Sequence, residues 1–139
     1  MTLMRRALMV TVVLLAMVQP TICGLYAYGL WQYRSAGHQT DDGIAANVHL
    51  AEMLAALALV DVIAVLVFLL RSRSYGRWVL TAVQIANAFA FLVWFVATPT
   101  WDPGRFAWLL CAVTGFGTVA LVFVFTVMAW LPRNGLTAP

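Results

Sequence analysis

The sequence predicts an all-α, polytopic membrane protein: a four-transmembrane-helix bundle with both termini on the cytoplasmic side. Hydrophobic residues make up 64% of the 139 residues and charged residues only 9%, which is too apolar for a soluble domain. The apolar residues fall into separate blocks, each near the ~20 residues that cross about 30 Å of hydrocarbon. The basic residues are unevenly distributed between the connections, which gives the orientation.

The apolar blocks define the spans. The connections between them are short, so residues 1–139 are expected to form a single membrane domain without a separate soluble part. The predicted spans are about Ala7–Leu30, Ala46–Leu70, Trp78–Ala97 and Phe106–Leu131.

The net charge of +3 indicates membrane topology rather than nucleic-acid binding. All 8 basic residues are arginines, and most lie at the amino end, in the second connection or at the carboxyl end. Positive residues favour the cytoplasmic side, so we expect both termini there and the lipid bilayer as the surroundings. The use of arginine alone and the richness in Ala and Val fit a GC-rich bacterium, so we expect a multi-pass protein of the bacterial cytoplasmic membrane. The arginines of this group are Arg5, Arg6, Arg71, Arg73, Arg77 and Arg133.

The first span resembles a secretory signal at its start, but its apolar character continues to Leu30, which favours an uncleaved helix. Pro20 lies in the middle of this span. Proline lacks a backbone donor and clashes with the preceding turn, so the sequence predicts a kink there, with Thr21 able to bond the freed carbonyl.

The second span carries His49, Glu52 and Asp61 in an otherwise apolar helix. Ionisable residues in a span indicate a functional site, because hydrocarbon offers them no water. His49 and Glu52 are about 60° apart around the helix, whereas Asp61 is about 180° from Glu52. Three arrangements remain open: a central helix buried on two sides, an acid satisfied by another chain, or Glu52 reaching the outer headgroups.

The third and fourth spans each present one polar face. Gln84 and Asn87 lie on one stripe of the third span, and Cys111, Thr114 and Thr118 share a face of the fourth. Both faces are expected to point into the bundle or toward a partner.

Counting helix positions in 1.5 Å steps sorts the polar residues into two depths. His49, Glu52, Cys23 and Cys111 belong to an outer layer. Asp61 and Asn87 fall about 13 Å from the inner face. Gln84, Gln19 and Thr118 lie within about one helical turn of that deeper level.

Two readings are open for each layer. Asp61 either hydrogen-bonds Asn87 or Gln84 as a structural contact or lies on a proton or cation pathway. His49 with Cys111 either ligates haem or a metal, or His49 simply sits at the headgroup boundary. No complete catalytic motif is present in the sequence, which argues against an enzyme.

Four short motifs follow one another along the chain: Gln19 with Gly24-Leu25, then Val48-His49, Val83-Gln84 and Leu110-Cys111-Ala112-Val113-Thr114-Gly115. Their order resembles a family of small, largely uncharacterised bacterial four-helix membrane proteins. In that family the second and fourth spans each open with a Leu-His-like pair, the latter as Leu-His-Pro-x-x-Gly. The resemblance implies haem or metal ligation by a histidine pair between these spans; here Cys111 replaces the second histidine and Ala112 the proline.

The function expected from these features is non-catalytic: an accessory or structural subunit, or a small binding module, in a homo-oligomer or larger membrane complex. One alternative is a haem- or metal-binding redox protein that uses His49 with Cys111. The other is an oligomeric small transporter or channel that uses Asp61 and Glu52.

Overall fold

The chain folds into helices that pack side by side in a bundle. A computed structural model describes residues 2–33, 41–72 and 75–131. Its helices are α1 (Leu3–Ala16), α2 (Val18–Tyr33), α3 (Asp41–Arg71), α4 (Gly76–Ala97) and α5 (Arg105–Trp130). α1 and α2 together make the first of 4 segments that are long and apolar enough to cross a membrane. The predicted all-α four-helix bundle is confirmed.

The spans pack as a closed ring in chain order. α2 packs on α3, α3 on α4, and α4 on α5, while α1 and α2 both contact α5 and close the ring. Consecutive spans are therefore antiparallel neighbours, as short connections dictate.

The first span is interrupted at Met17, between α1 and α2. Pro20 causes the break, because its ring meets the carbonyl one turn earlier and it offers no N–H. The Thr21 hydroxyl donates to the Met17 carbonyl at 2.7 Å, and the Thr21 amide donates to the same oxygen at 3.2 Å. The helix is thus interrupted one turn before the proline, in the span where the sequence predicts a kink. Thr21 bonds the Met17 carbonyl, not the Ala16 carbonyl that Pro20 leaves without a donor.

The two ends of the bundle differ in composition. One end, here called the arginine end, carries Arg5, Arg6, Arg71 and Arg77. The opposite end, here called the tryptophan end, carries Trp31, Trp94, Trp101 and Trp108. Arg34, Arg73 and Arg133 lie outside the described residues.

Two apolar clusters fill the interior, one toward each end. The cluster at the arginine end contains Val12, Ala16, Ala64, Val65, Phe68, Leu80 and Val122. The cluster at the tryptophan end contains Cys23, Leu54, Phe91, Trp108, Cys111 and Ala112. On every span the buried polar residues lie between the two clusters, so the interior is apolar, then polar, then apolar.

α3 is longer than its predicted span and is not buried on two sides within this chain. It begins at Asp41, several residues before the predicted start at Ala46. One face enters the core, while the other exposes large apolar side chains suited to lipid or another chain. The exposed residues are Met53, Leu59, Val60, Ile63, Leu66, Leu69 and Leu70.

Candidate functional site

A layer of buried polar side chains crosses the middle of the bundle, and every span contributes to it. The polar layer consists of Gln19 from α2, Asp61 from α3, Gln84 and Asn87 from α4, and Thr114 and Thr118 from α5. Asp61 is about nine residues, or ~14 Å, from Leu70, which is close to half of a ~30 Å hydrocarbon core. The layer therefore lies near the middle of the region that lipid would surround.

Asp61 is the acidic group at the centre of this layer, and two amides hold it. Its Oδ1 accepts hydrogen bonds from Gln84 Nε2 at 3.1 Å and from Asn87 Nδ2 at 2.8 Å. The two amides reach the same oxygen because residues three apart lie on one face of α4. Both contacts expected from depth counting, Asp61 to Asn87 and Asp61 to Gln84, are present.

Gln19 ties the first span to the last. Its Nε2 donates to the Cys111 carbonyl oxygen at 2.8 Å. The Gln19 amide lies against Gly115, where an added Cβ would meet Gln19 Nε2, the Ala88 Cβ at 2.8 Å and the Gln84 carbonyl oxygen at 3.2 Å. The absence of a side chain at Gly115 lets α2, α4 and α5 meet at this level.

The two threonines of the layer bond within their own helix. Thr114 Oγ1 donates to the Leu110 carbonyl at 2.8 Å and lies 3.1 Å from that of Cys111, and Thr118 Oγ1 donates to the Thr114 carbonyl at 2.8 Å. This back-bonding satisfies a hydroxyl without a partner from another helix. The threonines therefore fill the layer but do not link the spans.

Among residues 2–33, 41–72 and 75–131, three buried oxygens of the layer have no hydrogen-bond partner: Gln19 Oε1, Asp61 Oδ2 and Gln84 Oε1. All three are acceptors, so each of them lacks a donor in this arrangement of side chains. A buried acceptor without a donor costs about 1–3 kcal/mol, which makes a missing donor at this site the main chemical feature of the core.

His49 and Glu52 lie elsewhere, on the surface of α3 toward the tryptophan end. Their side chains are 82% and 65% exposed, and His49 Nδ1 is 3.7 Å from Glu52 Oε2. They are three residues apart, so they share a helix face turned away from the core.

The level of this pair along the bundle follows from the Asp61–Asn87 contact. Measured along the helix axes from that contact, Glu52 of α3 and Ala97 of α4 both lie roughly 14–15 Å toward the tryptophan end. His49 lies about one helical turn farther. α4 ends at Ala97, so the first turns of α3 run past the end of α4. Glu52 therefore sits where the headgroups would begin, which favours the arrangement in which Glu52 reaches the outer headgroups.

The residues proposed for haem or metal do not fit a shared ligand site. Cys111 is fully buried beside Cys23, in the apolar cluster at the tryptophan end, whereas His49 is largely exposed. Both cysteines are free thiols. Within the described ranges no group of three or more His, Cys, Asp or Glu side chains could hold a metal ion.

The residues proposed for a transport pathway are likewise apart. Asp61 is enclosed by the core, while Glu52 faces outward at a level about 14 Å away. A single chain therefore does not join the two acids in one passage.

The sequence did not predict an aromatic stack at the tryptophan end. Trp94 and Trp108 stack with ring centroids 4.7 Å apart, and Phe91 stacks on Trp108 at 5.9 Å. Tyr26 of α2 lies 4.8 Å from Trp108. These side chains are 14 or more residues apart in sequence, so no local sequence pattern indicates that they stack.

Comparisons of the chain with protein-family models, with curated proteins and with solved structures found no match.

Proposed function

We propose that this chain is a non-catalytic, multi-pass membrane protein that acts as an accessory subunit of a larger membrane assembly, with the tryptophan end of α3 as its contact surface. The bacterial cytoplasmic membrane is the proposed location. The arginine end would face the cytoplasm, because basic residues concentrate there.

The observation that carries this proposal is the position of the His49–Glu52 pair. The pair is outward-facing, it lies where α3 runs past α4, and the exposed face of α3 continues below it as an apolar strip. A partner subunit with an apolar helix and a basic or hydrogen-bonding group at headgroup level would match both parts of this surface. Polar contacts of this kind between spans are worth about 0.6–2 kcal/mol each, so the apolar strip would supply part of the affinity through packing.

The closed interior supports a structural rather than a catalytic role. The polar layer links neighbouring spans through Asp61 with Gln84 and Asn87, and through Gln19 with Cys111. These contacts fix the arrangement of the four spans, as buried polar groups do in other bundles. The chain would thus present a rigid outer surface to its partner.

A photo-crosslinking amino acid at position 52, introduced in native membranes, tests this surface. We expect a discrete adduct with one other membrane protein. Val96 is the matched control, because it lies at the same level on α4 and is 70% exposed. Equal, diffuse labelling from positions 52 and 96 would contradict the proposal, and an adduct of twice the chain's mass would assign the surface to a homo-oligomer.

A further inference from the structure

The unpartnered oxygens of Asp61 and Gln84 belong to groups that already face each other. Gln84 Nε2 donates to Asp61 Oδ1, while Asp61 Oδ2 and Gln84 Oε1 are both buried with no partner. Each group therefore uses one of its two polar atoms in this contact and leaves the other unsatisfied.

A carboxylic acid and a primary amide have complementary edges. The amide N–H donates to one acid oxygen, and a proton on the other acid oxygen donates to the amide oxygen. A single proton on Asp61 Oδ2 would therefore supply the donor that Gln84 Oε1 lacks. The opposite orientation of the Gln84 amide would instead place two acceptors against each other at the 3.1 Å contact.

In the part of the chain that the structure describes, no positively charged side chain is buried in the layer with Asp61. α4 presents the amides of Gln84 and Asn87, and the other elements packed in the core present only neutral groups at this level: Gln19 and Cys23 from α2, and Cys111, Thr114 and Thr118 from α5. Among the described residues, the hydrogen bonds of the Asp61 side chain come from the two amides alone. A buried charge without a counter-ion is costly, and a bound proton removes that charge.

We propose that Asp61 and Gln84 form a proton-binding site at the centre of the bundle. Asp61 Oδ2 takes up one proton and donates it in a hydrogen bond to Gln84 Oε1. Gln84 Nε2 and Asn87 Nδ2 keep Oδ1 as the acceptor, so Asn87 orients the acid. Protonation turns the carboxylate into a neutral acid, and no other bond forms or breaks.

Infrared spectroscopy of the protein in lipid vesicles at neutral pH tests the site directly, because the C=O band of a protonated carboxyl is separate from carboxylate bands. The chain has only 5 Asp and Glu residues, so the background is small. We expect a protonated-carboxyl band that shifts with 13C-labelled aspartate and in D2O and disappears in Asp61→Asn. The control Glu52→Gln, on the exposed surface, should leave the band in place.

The variant Gln84→Leu tests whether the Asp61 acid donates its hydrogen bond to Gln84 or is protonated only because it is buried. We expect the band to remain but to move to the frequency of a carboxyl that donates no hydrogen bond. An unchanged frequency would overturn the pairing with Gln84. Should Asp61→Asn fail to fold, the wild-type spectrum still decides: a missing isotope-sensitive acid band at neutral pH would overturn the proposal.

A second inference comes from the arginine end and is independent of the polar layer. Arg5 of α1 and Arg77 of α4 line one cleft with Ser72 and Trp130, with a volume of about 430 Å³. The Nε atoms of both arginines are buried, and no described residue is a hydrogen-bond partner of either. Arg5 lies 5.4 Å above the Phe125 ring, and Arg77 lies 5.9 Å from the Trp78 ring, so packing holds both side chains at the cleft.

We infer that this cleft binds the phosphate of an anionic phospholipid. Two guanidinium groups and a hydroxyl match the oxygens of a phosphodiester, and the cleft lies at the level where headgroups would be. Basic clefts between spans are a recurring site for lipid headgroups.

Retention of anionic lipid during purification tests the cleft. The double variant Arg5→Gln/Arg77→Gln should lose most of the phosphatidylglycerol that co-purifies from mixed vesicles, several-fold more than Arg6→Gln. Arg6 is the matched control, because it is exposed on the same helix and lines a different groove. Equal lipid retention in the two variants would overturn the inference. Binding of inorganic phosphate by a wild-type protein that retains no lipid would also overturn it.

Discussion

Gly115 is a residue at which three spans approach one another closely. Its hydrogen atom faces Gln19, Ala88 and the Gln84 carbonyl, so the position of the glutamines depends on it. At the scale of single residues, the polar layer is thus set by one small residue as much as by its polar ones. Small residues allow close helix contact in lipid, where packing is the main attraction between spans.

Gly115→Ala should destabilise the bundle by about 1–3 kcal/mol, the usual cost of overpacking a core. The added methyl would meet the Gln84 carbonyl oxygen, which cannot move without its helix. Thermal unfolding in detergent measures the loss. Gly24→Ala is the matched control, since its Cβ would meet nothing within 4 Å, and a comparable loss in both variants would contradict this role for Gly115.

Asp61 should tolerate asparagine better than leucine. Asparagine keeps an oxygen that accepts from Gln84 and Asn87, whereas leucine leaves both amides without that acceptor. We expect Asp61→Leu to lower the free energy of unfolding by about 1–3 kcal/mol relative to Asp61→Asn. Denaturant unfolding in mixed micelles measures the difference, and equal stability would show that the amides find other partners.

At the scale of helices, the α3–α4 hairpin contains a close approach between two backbones. Gly76 begins α4 against the end of α3, and a Cβ there would lie 2.6 Å from the Val67 carbonyl oxygen and 2.7 Å from that of Arg71. Both contacts are with backbone atoms, so no side-chain movement can relieve them. The two helices are therefore held at a fixed separation at the arginine end.

Gly76→Ala should weaken this hairpin and lower the free energy of unfolding by about 1–3 kcal/mol. A lower unfolding temperature in detergent would show this loss. The control is Gly29→Ala in α2, where an added Cβ meets nothing within 4 Å. A Gly76→Ala variant as stable as Gly29→Ala would mean that the separation of α3 and α4 is not fixed by this contact.

The spans could be predicted from sequence because hydrophobicity and length determine them. The pairing of Asp61 with Gln84 and Asn87 was also accessible, since helical rise converts position into depth. Two features were not. The extension of α3 to Asp41 depends on helical structure in polar sequence outside the apolar block. The separation of His49 from Cys111 depends on how the helices rotate in the bundle, and depth alone does not determine that rotation.

At the scale of the whole molecule, the bundle is closed in its interior and has an outward polar pair at one end. Cys23 and Cys111 are the only two cysteines of the chain, and both are buried where α2 meets α5. They therefore report on whether the ring of spans is closed at the tryptophan end.

Both thiols should resist a membrane-permeant maleimide in the native protein and react fully after denaturation. Protection follows from their complete burial in the apolar cluster. Mass spectrometry of the labelled chain measures the number of adducts. Trp101→Cys, at a position that is 81% exposed at the tryptophan end, is a positive control. Rapid native labelling of Cys23 and Cys111 would show that the span ring opens at this end.

The most direct test of the proposed accessory role is native mass spectrometry of the tagged chain after gentle extraction from its own membrane. The account predicts a stoichiometric complex with a second membrane protein, which weakens when His49 and Glu52 are replaced together by leucine. A chain that leaves the membrane alone, as a stable monomer under the mildest extraction, would contradict it.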